Sequence, residues 1–134
     1  MKYIIGLIAS GKTTLFRQLN ERKESYAVEI ELPQSCLNDE KIKKKLLKMF
    51  SESENIETII AHPYYLPKDF YKRIKETDNI TYLDIPLKER LKRIKERCEA
   101  NGTDRNLIFP DWYLEKEEKD FKKFKDVIYN YNET

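Results

Sequence analysis

Lys2-Tyr3-Ile4-Ile5-Gly6-Leu7-Ile8-Ala9-Ser10-Gly11-Lys12-Thr13-Thr14-Leu15-Phe16 begins one residue into the chain. The short apolar run bounded by glycine reads as a buried parallel strand, and Thr13 to Glu21 reads as an amphipathic helix. Between them stands G-x-x-x-x-G-K-T, the pattern of a phosphate-binding loop (P-loop), in the strand–loop–helix context that its mechanism needs. Gly6 and Gly11 let backbone N–H groups turn inward around phosphate oxygens, and the helix N-terminus behind them favours negative charge. Lys12 is placed to reach the terminal phosphates, Thr13 to offer its hydroxyl to Mg²⁺, and Ala9, Ser10 and Thr14 to complete the lining. A generic turn does not account for the pattern, because the whole chain has three glycines and two of them are in it.

Working outward, 134 residues make one domain, 1–134, with room for one core. Lys+Arg 26 against Asp+Glu 24 leaves a net charge of +2, which demands neither a nucleic-acid nor a membrane partner. Cys36 and Cys98 are too few for a disulfide framework or a four-ligand metal site, so reduced thiols are expected. There is no signal-peptide pattern and no run near ~20 apolar residues, so the expectation is a soluble, cytoplasmic protein without a membrane partner.

Strand and helix signals then alternate. Ser25 to Leu32 reads as a second strand stopped by Pro33, and Asn38 to about Ser51 as a helix with Ile42, Leu46, Leu47 and Phe50 on one face. Glu57 to Ala61 is a third strand, cut short by His62-Pro63-Tyr64-Tyr65-Leu66-Pro67. A short helix from Lys68 to Thr77 leads to a fourth strand, Asn79 to Ile85. Pro86 starts a long helix to about Ala100, and Pro110 or Asp111 opens another to about Lys125. The tail Asp126-Val127-Ile128-Tyr129-Asn130-Tyr131 is β-branched and aromatic and predicts a fifth strand, with extension of the preceding helix as the alternative. The expected class is α/β, a three-layer parallel sheet with helices on both faces, with ligands at the carboxyl ends of the strands.

From Tyr82-Leu83-Asp84-Ile85-Pro86 onward the chain resembles the nucleoside- and nucleotide-kinase branch of P-loop proteins, to which adenylate kinases and polynucleotide kinases belong. The strand followed by Arg90, Arg93 and Arg97 is similar to the arginine helix that leads into the lid of adenylate kinases, where two arginines stand four apart as Arg93 and Arg97 do. Independently of any family, residues at i and i+4 share a helical face, so two guanidiniums can converge on one triphosphate. Lys88, Lys92 and Lys95 make a solvated basic face the competing reading, and Arg90, taken to lie on another side of the helix, is expected to matter little. The resemblance implies strand order 2-3-1-4-5, a short lid over about residues 98–111 with Arg105 as a further phosphate clamp, and Asn130 near the nucleotide at the end of the last strand. It also implies an Asp at the end of the third strand, where this chain has His62, and it gives Asp84 a role in closing a strand more than in holding metal.

Phosphoryl transfer needs in-line positioning and neutralised oxygens, for which Lys12, Thr13 with Mg²⁺, Arg93 and Arg97 are the inventory. Glu29 and Glu31 stand where nucleoside and polynucleotide kinases carry an acidic residue, and either is a candidate general base for a hydroxyl acceptor; a polar strand edge is the alternative. Adenylate kinases place an arginine after the corresponding proline, whereas Pro63 is followed here by Tyr64 and Tyr65, with Lys68 and Arg73 later, which favours a hydroxyl over a phosphate acceptor. The expected activity is ATP-dependent transfer of the γ-phosphate to a nucleoside, nucleotide or nucleic-acid 5′-hydroxyl. A kinase of a non-nucleotide metabolite and a partner-dependent ATPase are the alternatives.

Overall fold

Tyr3, Ile4 and Ile5 are all buried, which only a strand with neighbours on both edges and layers on both faces allows. The structure, a computed structural model, describes residues 1–22, 26–32, 34–36, 38–77 and 79–131. Among the described residues the sheet has four strands: β1 (Lys2–Gly6), β2 (Ala27–Glu29), β3 (Thr58–Ala61) and β4 (Ile80–Leu83), all parallel in the order β2-β3-β1-β4. In register, Ile4 sits between Ile60 of β3 and Thr81 of β4. Ser25 and Pro33, expected to open and stop the second strand, lie outside the described residues.

Alternation divides β1 between two cores. Ile4 joins Ile60 and Ala27 beneath Leu15, Phe16 and Leu19 of α1 (Lys12–Arg22). Tyr3 and Ile5 face the other layer, built by Leu47 of α2 (Glu40–Ser51), Ile74 of α3 (Tyr71–Thr77) and Phe121, Phe124 and Ile128 of α6 (Asp111–Tyr129). Each fully buried isoleucine contributes roughly 1.5–3 kcal/mol. Asp39 caps α2, accepting from Ile42 N at 3.2 Å. The third core lies over the loop between β1 and α1, where Ala9 meets Ile94 and Cys98 of α4 (Leu87–Ala100) and Leu114 of α6. Gly102 ends α4 at φ +66, and the short α5 (Arg105–Ile108), capped by Asp104, connects it to α6.

The fifth strand expected at residues 126–131 is a correction: α6 runs on to Tyr129, and the sheet ends at β4 among the described residues. Helical spacing outweighs β propensity here, because Phe121, Phe124 and Ile128 continue one buried stripe while Val127 and Tyr129 are exposed. Strand alternation would have put Val127 and Tyr129 on one face and split Ile128 from its helical neighbours.

The turn out of β1 is tight. A Cβ on Gly6 would overlap the Ser10 hydroxyl and come within 3.1 Å of the Leu83 Cβ in β4. Gly6→Ala is therefore expected to lower stability by about 1–3 kcal/mol, read as a lower urea midpoint at unchanged m-value; an unchanged midpoint would mean that the loop yields freely to the methyl.

Candidate functional site

After Gly6 the backbone makes a nest at the head of α1. Ala9 has φ +60 and Gly11 φ +95, left-handed values that re-aim successive peptides and that alanine adopts at a cost of about 1–2 kcal/mol. Three cations take three consecutive carbonyls of the loop. Lys12 Nζ donates to Leu7 O at 2.6 Å, Arg90 Nε to Ile8 O at 2.9 Å and Arg93 Nη1 to Ala9 O at 3.1 Å. The Ser10 hydroxyl is buried without a hydrogen-bond partner among the described residues. A triphosphate fits this cradle, since its oxygens would satisfy that hydroxyl and the unpaired donors of the helix N-terminus.

Beside the loop lies a cavity of about 290 Å³, lined among others by Lys12, Glu29, Glu31, His62, Tyr65 and Arg97. Thr13 Oγ1 donates to Glu29 Oε1 at 2.8 Å, which leaves the hydroxyl's lone pairs open to a cation. Partial burial raises the Glu29 carboxyl pKa, against a lowering contribution from the Thr13 hydrogen bond. Burial lowers the Lys12 ammonium to about 8, with Glu117 and Glu29 opposing. Arg97 is exposed at the cavity edge, and Arg93 is half-exposed, with Glu89 at 3.4 Å from its Nε. The structure thus brings together Gly6, Ala9, Ser10, Gly11, Lys12, Thr13, Glu29, Glu31, Arg93 and Arg97; Thr14 is exposed in the first turn of α1.

Others stand elsewhere. Asn130 caps the far end of α6, donating to Asp126 O at 2.9 Å, in the region where α6 passes Lys75 and the start of β4, so the place implied for it falls with the fifth strand. Asp84 pairs with Lys125, and Arg105 with Asp111 at 2.5 Å. Arg73 lies over the Phe70 ring and donates to Ser51, away from the cavity. Tyr64 donates to Asp120 at 2.5 Å, and Tyr65 packs on the main core. No group of three or more His, Cys, Asp or Glu side chains is poised to hold a metal among the described residues, and no described helix is long and apolar enough to cross a membrane.

Arg90 requires a correction. Seven residues are nearly two helical turns, so Arg90 lies close to the side of α4 that carries Arg97, two turns nearer the sheet. It is 1% exposed and grips the loop, with Glu117 and Glu118 of α6 on its two terminal nitrogens. Glu117, which the sequence reading passed over, is wholly buried. His62 completes this cluster. Its Nδ1 accepts from Tyr64 N at 3.1 Å, so the proton sits on Nε2, which donates to Glu117 Oε2 at 2.7 Å. Burial lowers the His62 pKa despite Glu117, so the ring is neutral near pH 7. The signal for Glu117 was its position: Leu114, Glu117, Phe121, Phe124 and Ile128 alternate spacings of three and four, which puts a carboxylate on the buried stripe.

Solved structures that resemble this chain in fold include deoxyadenosine kinase from M. mycoides. With dCMP and dCDP bound it matches at a TM-score of 0.52 and 20% sequence identity, over 98% of this chain and 87% of that one. With dATP bound the TM-score is 0.53 and the identity 21%, over 98% and 88% of the two chains. No family model matches the sequence, and no curated protein matches it. At such identities the likeness is one of fold.

Because burial holds Lys12 below the usual lysine value, its ammonium is charged below about pH 8 and neutral above it. Affinity for Mg²⁺–ATP is expected to level off below that pH and to fall above it, approaching roughly tenfold per pH unit. Titration calorimetry across this range, repeated with Lys12→Arg, checks the sign: the arginine variant should lose the fall, and an identical profile would assign the titration to another group.

Proposed function

We propose that this chain transfers the terminal phosphate of a nucleoside triphosphate, ATP in the simplest case, to a hydroxyl of a nucleoside, nucleotide or nucleic-acid 5′ end. The observation that carries the reading is the 2.8 Å contact between Glu29 and Thr13, which puts a carboxylate of raised pKa at the mouth of a phosphate-binding loop. A carboxylate there suits an acceptor that must lose a proton. It repels one that arrives as a phosphate, and Arg73 and Lys68, the cations that a phosphate acceptor would require, do not line this cavity. The fold shared with a deoxyadenosine kinase points the same way.

The loop amides and Lys12 hold the β- and γ-phosphates, and Arg93 and Arg97 close on the oxygens where charge accumulates. Thr13 would hold Mg²⁺, a hard cation suited to hydroxyl and water oxygens, which when bound neutralises phosphate charge. Glu29 takes the proton of the acceptor hydroxyl as its oxygen bonds to phosphorus and the bond to the nucleoside diphosphate breaks. Glu31 lines the same cavity and orients the acceptor. Tyr65 and Leu32, also in its wall, offer flat and apolar surface to a base or sugar.

Incubation with Mg²⁺ and γ-labelled ATP, screened against pooled nucleosides, nucleotides, 5′-hydroxyl oligonucleotides and sugars, tests the reading. Label is expected on a nucleoside-type hydroxyl. Glu29→Gln should lower kcat by roughly 10²–10⁴-fold and Arg97→Ala by roughly 100-fold, with little change in KM for ATP. Label released only as free phosphate, whatever acceptor is offered, would replace this reading with that of an ATPase.

A further inference from the structure

Of the three cations that hold the loop, two are accessible and one is sealed in. Lys12 lines the cavity and Arg93 is half-exposed, so each can exchange a carbonyl for a phosphate oxygen. Arg90 cannot: it is 1% exposed, and all three of its nitrogens are engaged, Nε on Ile8 O, Nη2 on Glu117 and Nη1 on Glu118. Glu117 also stands at 3.5 Å from Ile8 N, so one residue of the loop is approached through its carbonyl by Arg90 and through its amide by Glu117. In a planar trans peptide the C=O and the following N–H point opposite ways. Drawing Ile8 O to Arg90 therefore turns the Ala9 N–H away from the guanidinium, and Ala9 is where the chain takes its left-handed turn and enters the cavity wall.

We infer that Arg90, fixed by Glu117, is a positioning residue that sets the shape of the phosphate-binding loop before the donor arrives. It never touches the phosphates, and its effect on transfer passes through Ile8 and Ala9. The inference rests on the phosphate-binding reading of this loop. A purely structural ion pair makes a different statement, because exchanging a buried pair for uncharged residues of similar volume commonly leaves stability intact. If the pair only supports the fold, that exchange restores everything.

The test uses the double variant Arg90→Met/Glu117→Gln, in which methionine fills the guanidinium's volume and the glutamine oxygen still accepts from His62. Three quantities are read in the full chain: the thermal midpoint, amide hydrogen exchange of the peptide spanning residues 6–12, and affinity for Mg²⁺–ATP by calorimetry. The expected result is a midpoint near that of the parent, with loop exchange at least about tenfold faster and ATP affinity at least about tenfold weaker. A double variant with parental exchange and affinity overturns the inference. Should that variant not fold, Arg90→Lys decides, since it keeps a charge for Glu117 but loses the Nε donor to Ile8. Faster loop exchange supports positioning, and parental exchange overturns it. Absence of triphosphate binding by the parent protein would instead defeat the functional reading, and loop exchange, which needs no ligand, would still decide the role of Arg90.

Discussion

A carboxylate inside the protein, that of Glu117, meets Arg90 of α4, His62 at the end of β3 and, at a longer distance, the amide of Ile8. Burying an ion costs several kcal/mol even after relaxation, roughly, and the cost is offset only when its partners are close and its lone pairs are used. That constraint links four segments far apart in sequence. α6 has to start where Glu117 reaches the loop, α4 has to begin one turn before Arg90, and β3 has to end with a ring whose Nε2 carries the proton. The hydrophobic layers hold the sheet and helices together. The polar cluster ties α4 and α6 to the loop between β1 and α1, at the carboxyl ends of the strands.

Much of this was legible in the residues. The apolar run Tyr3-Ile4-Ile5 before Gly6 could only be an interior strand, and it has β3 and β4 on its two edges. The glycine and lysine positions marked the loop; the spacing put Arg93 and Arg97 on one face of α4, and the resemblance to the kinases put that face toward the loop, where Arg93 meets Ala9 O and Arg97 lines the cavity. The last segment misled because Val127, Ile128, Tyr129 and Tyr131 have strand-like side chains, whereas the stripe that decides their fate begins at Leu114 and has a helical period. Glu117 was hidden by its company: α6 is dense in Glu and Lys, and a charge on such a helix reads as solvated unless its register on the buried stripe is followed. Arg90 was misplaced by the same neglect of register on α4. No sequence signal shows the three-way contact with Ile8, which depends on how two helices pack.

The balance of charge around the cavity gives the site its direction. Lys12, Arg93 and Arg97 gather on the side of the loop and α4, and Glu29 and Glu31 line the cavity from the end of β2. Under the proposed function, a donor rich in phosphate would be drawn to the cationic side and an acceptor hydroxyl would meet the acidic one. The Thr13–Glu29 hydrogen bond joins the halves, so a cation held by the threonine would sit within reach of the acidic side as well. Lys12 on Leu7 O and Arg93 on Ala9 O are held by the loop's own backbone, and under the proposed function phosphate oxygens would replace those carbonyls.

The most direct measurement of the central claim is a titration of ¹⁵N-labelled protein with Mg²⁺–ATP, followed through its backbone amide shifts. Saturable changes are expected that are largest from Ala9 to Thr14, with smaller ones at Glu29 and on the side of α4 carrying Arg93 and Arg97, and none at the Asn130 end of α6. No saturable change in the loop, or a response centred on the far end of α6, would contradict it.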